Sequence, residues 1–542
     1  IRNGEFGLSA LYFGDQFRSE DPMRRDFCGA DGALCLAVAS NVWADIVAAA
    51  DEFDESAGGC GFTAFAGYEW TASPGSTLHR NVLFRGEDVP ALPLSYVEVQ
   101  SPPALWAALE SQCETVGGDC QALAIPHNSN QSSGQTFLTT EPDGSPMTRE
   151  TALLARRMQP LVELVQHKGD SECRPGVDTT DEGCGFEKIP GLPVADDAPL
   201  SYVRNALKAG LALDAALGVN PFTLGLVAST DSHNATPGAT EEDDWAGHVG
   251  DLDASSAARL SGESLLQNPG GLMVLWSEEN SRDALFEAMR RRESYATSGT
   301  RPTLRFFGGF DLPIGLCDAP DLVARGYAAG VPMGGELVSD ATSPAPRFVV
   351  QVAQDPGTPS SPGTPIAEIQ IVKGWLEADG SLQERVVGIA GGPPNPGAVD
   401  PLTCATDGSG AATLCGEWLD PDFDAGEFAF YYTRVLESPT CRWSTLLCRD
   451  QGVDCSVAPP PELAGCCDGS VPETIQERAT SSPIWLRPAP EPSVAAGLAL
   501  GVFSLATSSR RRRRQSRSGE SCAPSAMPSA PSISASSRRA WR

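Results

Sequence analysis

The chain has only five histidines: His79, His127, His167, His233 and His248. Neutral imidazole is the commonest metal ligand and a general acid or base near neutral pH. Three of the five, His127, His167 and His233, fall at or just past the end of a short apolar run. Thr230-Asp231-Ser232-His233 follows the run Phe222–Ala228. Residues two apart on a strand point to the same side. Asp231 and His233 are therefore expected to offer a carboxylate oxygen and an imidazole nitrogen to one divalent cation; the blander alternative is a capping Asp beside a solvated His. In Ile125-Pro126-His127-Asn128-Ser129-Asn130, His127 reads as a third ligand. Asn128 and Asn130 there either orient ligands or simply form a turn. Glu69 ends the run Phe62–Gly67, where a buried carboxylate without a counter-charge is costly. His79 comes ten residues later, so Glu69 and His79 are expected to face each other at one rim. Glu163, Val165 and His167 share one strand face, and Lys168 follows. His167 and Lys168 read as contacts for an anionic oxygen, with His167 also a candidate further ligand or general acid. Arg80 is a lesser anion contact, and His248 is read as a loop residue outside the site.

Other chemistries are excluded by what is missing. The chain has no Walker-type phosphate loop and no dinucleotide fingerprint after a strand. It also lacks a Gly-x-Ser-x-Gly elbow, which argues against an α/β-hydrolase.

The elements that must position these residues alternate. Strands are expected at Phe62–Trp70, Leu78–Phe84, Cys120–Pro126, Leu161–His167 and Phe222–Thr230. Helices are expected at Val42–Phe53, Pro103–Val116, Arg149–Met158, Tyr202–Leu217 and Ser281–Glu293, where Ala, Leu, Glu and Arg dominate and apolar residues recur at helical spacing. Such alternation predicts an α/β domain with a largely parallel sheet or barrel, whose catalytic groups collect at the strand C-termini. Beyond residue 300 strands dominate, at Arg347–Val352, Ile366–Gly374, Arg385–Ile389 and Phe428–Leu436, separated by Gly/Pro-rich loops. That pattern predicts a β-rich, sandwich-like region. The expected partition is an α/β domain over 1–300, a β-rich domain over 301–440 and a Cys/Pro-rich extension over 441–487. A segment at 488–514 and a disordered Ser/Pro/Arg tail at 515–542 would follow.

Acidic residues number 70 against 39 basic ones, for a net charge of −31 over 542 residues. A surface this acidic argues against nucleic acid as a partner and favours cationic ligands such as metals. The tail is the exception: from Ser508 to Arg542 nine Arg stand against one Glu. Sixteen Cys point to disulfides formed in an oxidising compartment. The short loops Cys113/Cys120, Cys173/Cys184, Cys404/Cys415 and Cys441/Cys448 are the expected pairs. No CxxC…CxxC zinc signature is present.

Pro490-Glu491-Pro492, the apolar run Val494–Ala506 and the block Arg510–Arg514 follow one another. The run is shorter than the roughly 20 residues of a membrane span. The order resembles the PEP-CTERM sorting signals of exported bacterial proteins, which implies transient membrane association and export to the periplasm or cell surface.

Five blocks occur in order: GYEWTASPGSTLHRNVLFRG (67–86), AIPHNSNQSSGQTF (124–137), LVELVQHKGDSECR (161–174), ASTDSHNATPGATEED (228–243) and NPGGLMVLWSEENSRDALFEAMRRRESYATSGTRP (268–302). Together they resemble the domain-of-unknown-function family numbered 3604, itself similar to the PHP (polymerase and histidinol phosphatase) superfamily. The resemblance implies a distorted, seven-stranded TIM-like barrel of PHP type that holds Zn, Mn or Fe at its strand C-termini. It implies a phosphoester or other small-molecule substrate cleaved by metal-activated water. Carried over by residue, the metal ligands would be Glu69, His79, His127, Asp231 and His233. The superfamily's opening His-x-His and Asp-His pairs have no counterpart here, and the expectation is a barrel truncated at its N-terminus. Two alternatives accompany the hydrolase reading. One is a non-catalytic exported surface or matrix scaffold; the other is a metallohydrolase acting on an amide or a sulfate ester.

Overall fold

The computed structural model describes residue 14 and residues 18–55, 61–114, 120–189, 198–359, 361–393, 395 and 397–490. The expected sorting segment from Glu491 onward, the basic tail, Cys60 and Cys522 lie outside the described residues.

Three strands form an antiparallel sheet: β1 (Gly67–Trp70), β2 (Arg80–Phe84) and β3 (Ala122–Pro126). In its register Trp70 faces Arg80, and Arg80 faces Pro126. β4 (Leu161–Glu163) and β7 (Gly225–Val227) pair in parallel. Between them β5 (Val165–Gln166) and β6 (Gly169–Asp170) make a tight antiparallel pair. The expectation of a largely parallel sheet is thus corrected, because most pairings are antiparallel. The connection from β1 to β2 is only residues 71–79, too short for the crossover that parallel strands require. β4 and β7 have that crossover, and it contains the helix Val203–Leu217.

Local signals set the helices. Arg149–Met158 opens on Thr148, whose side chain accepts Thr151 N–H at 3.2 Å. Val203–Leu217 ends at Gly218, which takes the left-handed conformation at φ 68° that glycine accepts without strain. The first long helix runs Ala33–Glu52 and starts well before the expected Val42. The stretch Ala30–Glu52 is long and apolar enough to cross a membrane, and little of it is buried.

The expected boundary at residue 300 falls inside one sheet. β8 (Leu272–Leu275) and β9 (Ser294–Thr297) extend a sheet that continues through Arg478–Ser481, Phe428–Glu437, Ile484–Pro488 and Glu336–Ser339. Arg478–Ser481 and most of Ile484–Pro488, expected in the Cys/Pro-rich extension, are therefore interior strands. Ile366–Leu376 pairs with Phe428–Glu437 and with Leu382–Gly391. A second sheet joins Val331–Pro332, Thr303–Gly309, Arg347–Ala353 and Thr413–Leu419. Phe306, Phe348 and Val350 of that sheet share a core with Ile369, Tyr431 and Ile484 of the first. Another core joins Val162, Leu211 and Leu226 to Val372, Phe430 and Trp485. Burial of this kind is what couples the two halves into one packed body.

Seven disulfides lie among the described residues. Cys113–Cys120 and Cys173–Cys184 pair within short loops. Two expected pairs are corrected. Cys404 bonds Cys441, Cys415 bonds Cys317 across 98 residues, and Cys448 bonds Cys466. Cys415 lies on Thr413–Leu419, whose register on Arg347–Ala353 sets it beside the segment that carries Cys317. Strand pairing, not loop length, selects the partner.

Candidate metal site

Two groups of ligand-bearing side chains stand at neighbouring strand ends. The first depends on strand reversal. Glu69 lies near the C-terminal end of β1, and His127 directly follows β3. β2 runs the other way, so its first residues lie at that same edge, and His79 directly precedes it. Glu69 Oε1 lies 2.9 Å from His79 Nδ1 and 3.8 Å from His127 Nε2. The two imidazole rings meet edge to face with centroids 5.4 Å apart. His127 N–H donates to His79 O at 3.4 Å, extending the β2–β3 ladder to the ligands.

The second group depends on parallel pairing. Past β7 the chain stays beside β5, with Ser229 N–H donating to Val165 O at 3.1 Å and His167 N–H to Thr230 O at 3.3 Å. The expected alternation of Asp231 and His233 along one strand is corrected, because both lie beyond β7. Asp231 adopts φ 53°, a left-handed conformation that Asp tolerates better than most residues. His167 Nε2 lies 3.5 Å from Asp231 Oδ2, and the His167 and His233 rings are 5.7 Å apart. Lys168 Nζ is ion-paired with the same Asp231 oxygen, and Gln166 Nε2 donates to it at 3.0 Å.

In each group, Glu69–His79–His127 and His167–Asp231–His233, the potential ligand atoms lie within 4.8 Å of one another. Glu69, His79, Asp231 and His233 line a single cavity of about 680 Å³, together with Lys168 and Arg18. His127 and His167 stand behind them, both buried. A third cluster, Cys173–Asp181–Cys184, offers no thiolate because its two cysteines are joined in a disulfide.

The electrostatics follow from burial and pairing. Burial opposes ionisation of Glu69, but the His79 hydrogen bond and the His127 charge outweigh it and hold the carboxyl down at about 2. Burial likewise opposes ionisation of Asp231, yet the His167 hydrogen bond and the Lys168 charge keep its carboxyl well below the usual range. Burial pushes the His127 imidazole down to about 4 and also lowers that of His167. The result is two ionised carboxylates beside two buried neutral imidazoles, the protonation states that bind a cation.

The residues fit a divalent ion on structural grounds. Buried His127 and His167 each turn Nε2 toward a carboxylate, Glu69 at 3.8 Å and Asp231 at 3.5 Å, separations too long for a strong hydrogen bond and suited to a shared cation. Mixed imidazole and carboxylate donors suit Zn, Mn or Fe.

Supporting residues complete the arrangement. Glu163 is buried under both groups, and its carboxylate accepts Asn128 N–H at 3.2 Å and the Ser229 hydroxyl. Burial, with the Asp231 charge beside it, pushes the Glu163 carboxyl up to about 8. Gln267 Oε1 lies 3.0 Å from His167 Nδ1 and orients that ring. His248, expected outside the site, is fully buried with its ring 5.6 Å from that of His167. Its carbonyl accepts His233 N–H at 2.7 Å, and its Nε2 bonds Pro269 O at 2.6 Å. No local spacing announces Gln267 or His248, because each reaches the site through long-range closure.

Arg80 is a correction. Its side chain is fully buried, and its guanidinium donates to Thr136 O at 3.2 Å, to Gln159 Oε1 at 3.3 Å and to Leu78 O. On β2, Arg80 follows His79 and so points to the opposite face; it braces the loop after β3 and does not line the cavity.

The model of a family described as "Protein of unknown function (DUF3604)" matches residues 9–488. No curated protein and no solved structure matches the chain.

Proposed function

The chain belongs to the DUF3604 family, and we propose that it is an exported, divalent-metal-dependent hydrolase of PHP-like type that cleaves phosphoesters. The observation that carries this reading is the convergence of the two ligand groups on one cavity that Lys168 also lines. The strand ends that meet at that cavity support the barrel reading, and the seven disulfides among the described residues support passage through an oxidising compartment.

Glu69, His79, His127, His167, Asp231 and His233 would hold the metal. A divalent ion bound there supplies Lewis acidity and acidifies water. The chain's own residues do the rest. Lys168 Nζ presents a positive charge to the anionic ester oxygens. Asn128 and Gln131 line the cavity as neutral hydrogen-bonding groups. Gln267 and the His248 carbonyl hold His167 and His233 in place. In the net reaction the water oxygen forms a bond to phosphorus and the bond from phosphorus to the ester oxygen breaks. One water proton ends on the departing alcohol.

The test is elemental analysis of the purified full chain, combined with turnover of chromogenic phosphate, sulfate and amide substrates with and without chelator. Chelator-sensitive phosphate hydrolysis is expected. Turnover of only the sulfate or the amide would move the reading to another bond.

One observation favours a second reading, a non-catalytic scaffold: Lys168 already occupies the Asp231 carboxylate as its counter-ion. Protein that retains no transition metal and is indifferent to Asp231→Ala would establish it.

A further inference from the structure

Beside the ligands, the cavity wall is made of hydroxyl and amide side chains. Residues 71–77, between β1 and β2, contribute Thr71, Ser73, Ser76 and Thr77, and the loop after β3 contributes Gln131. Two of the hydroxyls are already engaged. Thr71 Oγ1 donates to Glu69 Oε1 at 2.9 Å, and Ser73 Oγ bonds His79 Nε2 at 2.8 Å. Ser76 is not engaged: it is 5% exposed, it lines the cavity, and its buried Oγ has no partner. The side chains of Thr77 and Gln131 make no hydrogen bond among the described residues. Their backbones are tied together, Thr77 N–H donating to Gln131 O at 3.2 Å, so both side chains project from a fixed frame. Among the described residues no Leu, Ile, Val, Met, Phe, Tyr or Trp side chain lines the cavity.

We propose that the alcohol half of the bound ester is polyhydroxylated, a sugar or polyol, and that Ser76, Thr77 and Gln131 read its hydroxyls. The proposal rests on the phosphoester reading above and names its substrate class. A buried hydroxyl without a partner stays costly until a ligand supplies one. A site built to hydrogen-bond a substrate hydroxyl rejects the analogue lacking it far more strongly than an apolar pocket rejects an extra methylene. The cavity, about 680 Å³, has room for a sugar phosphate.

The experiment measures dissociation constants by ligand-observed NMR on the full chain loaded with Mn or Zn. The probes are glucose 6-phosphate, n-butyl phosphate and inorganic phosphate. Glucose 6-phosphate is expected to bind at least about tenfold tighter than n-butyl phosphate, the effect of one well-made hydrogen bond. The double variant Ser76→Ala/Thr77→Val is expected to close that gap while n-butyl phosphate binding stays within about twofold. Gln131→Leu, on the cavity wall at a separate loop, is expected to narrow the gap independently. Unchanged circular dichroism verifies that each variant is folded. Equal affinity for the two esters, or a gap that survives in all variants, overturns the proposal while leaving the phosphoester reading intact. Binding of none of the three probes overturns both.

Discussion

The Glu163 carboxylate accepts the Asn128 N–H at 3.2 Å, one residue beyond the ligand His127. Its other oxygen takes the Ser229 hydroxyl, so one side chain ties the loop after β3 to the loop after β7. His127 sits one residue before Asn128 and Asp231 two residues after Ser229. Glu163 is thus the internal strut that keeps the two groups in register.

Glu163→Ala would leave a buried N–H and a buried hydroxyl unsatisfied, a cost of about 1–3 kcal/mol. Because burial pushes this carboxyl up to about 8, it is mostly protonated at neutral pH, and glutamine is a close mimic. Thermal denaturation with elemental analysis should find Glu163→Ala less stable and poorer in metal, and Glu163→Gln close to the parent in both. Equal metal content in parent and Glu163→Ala would refute the strut.

Asp231 is the sole carboxylate of its ligand group. Asp231→Ala should lower bound transition metal by about half or more, and hydrolysis by about 100-fold or more, in line with loss of a metal ligand. Lys168→Met, by contrast, removes a cation that competes for the same oxygen. Its metal content should hold or rise while KM for an anionic ester increases about tenfold. Parallel loss of metal in both variants would show that Lys168 supports the site and does not contact substrate.

The pairing of Cys317 with Cys415 closes a loop of 98 residues. By the chain-entropy relation such a link contributes about 4–5 kcal/mol, against roughly 2–3 kcal/mol for the seven-residue loop of Cys113–Cys120. Denaturant melts of Cys317→Ser/Cys415→Ser and Cys113→Ser/Cys120→Ser should rank in that order. Non-reducing peptide maps should recover 404–441 and 448–466; recovery of 404–415 would contradict the strand register that brings Cys415 to Cys317.

Glu437 is fully buried, with one oxygen accepting Thr300 Oγ1 at 2.7 Å and the other without a partner. Burial pushes its carboxyl up to about 8 against that hydrogen bond, with the Asp355 charge adding to the rise. Glu477, nearby, is likewise pushed up to about 8 by burial. The folded chain therefore keeps protons that the unfolded chain releases between about pH 4.5 and 8. Their stabilisation is complete below that window and is lost as pH rises through it. Denaturant titrations from pH 5 to 9 should show this decline, and Glu437→Gln should flatten its slope by up to about 1.4 kcal/mol per pH unit. An identical slope in the variant would exclude Glu437 as its source.

Much of the site can be read from residue type and local pattern. Apolar runs ending in His127, His167 and the Asp231–His233 pair mark strand ends, because a buried strand must be apolar and must stop where polar chemistry begins. The match of Arg149–Met158 to its expected bounds has the same local origin, a threonine cap and helical spacing. Sequence by itself thus determined which side chains can ligate a cation, and that the cysteine count calls for disulfides. Grouping was decided only in three dimensions. Reversal of β2 delivers His79 to Glu69 and His127 and turns its neighbour Arg80 away. The β4–β7 crossover brings His167 to an Asp231 that is not on a strand at all. The sheet joining residues 272–297 to 478–488 erases the boundary expected at 300, and the pairing of Thr413–Leu419 with Arg347–Ala353 in the second sheet directs Cys415 to Cys317. The physical reason is one of range. Propensity and periodicity act over a few residues, whereas strand order, disulfide choice and ligand grouping depend on loop closures of tens to hundreds of residues, whose outcome is set by burial of the whole core.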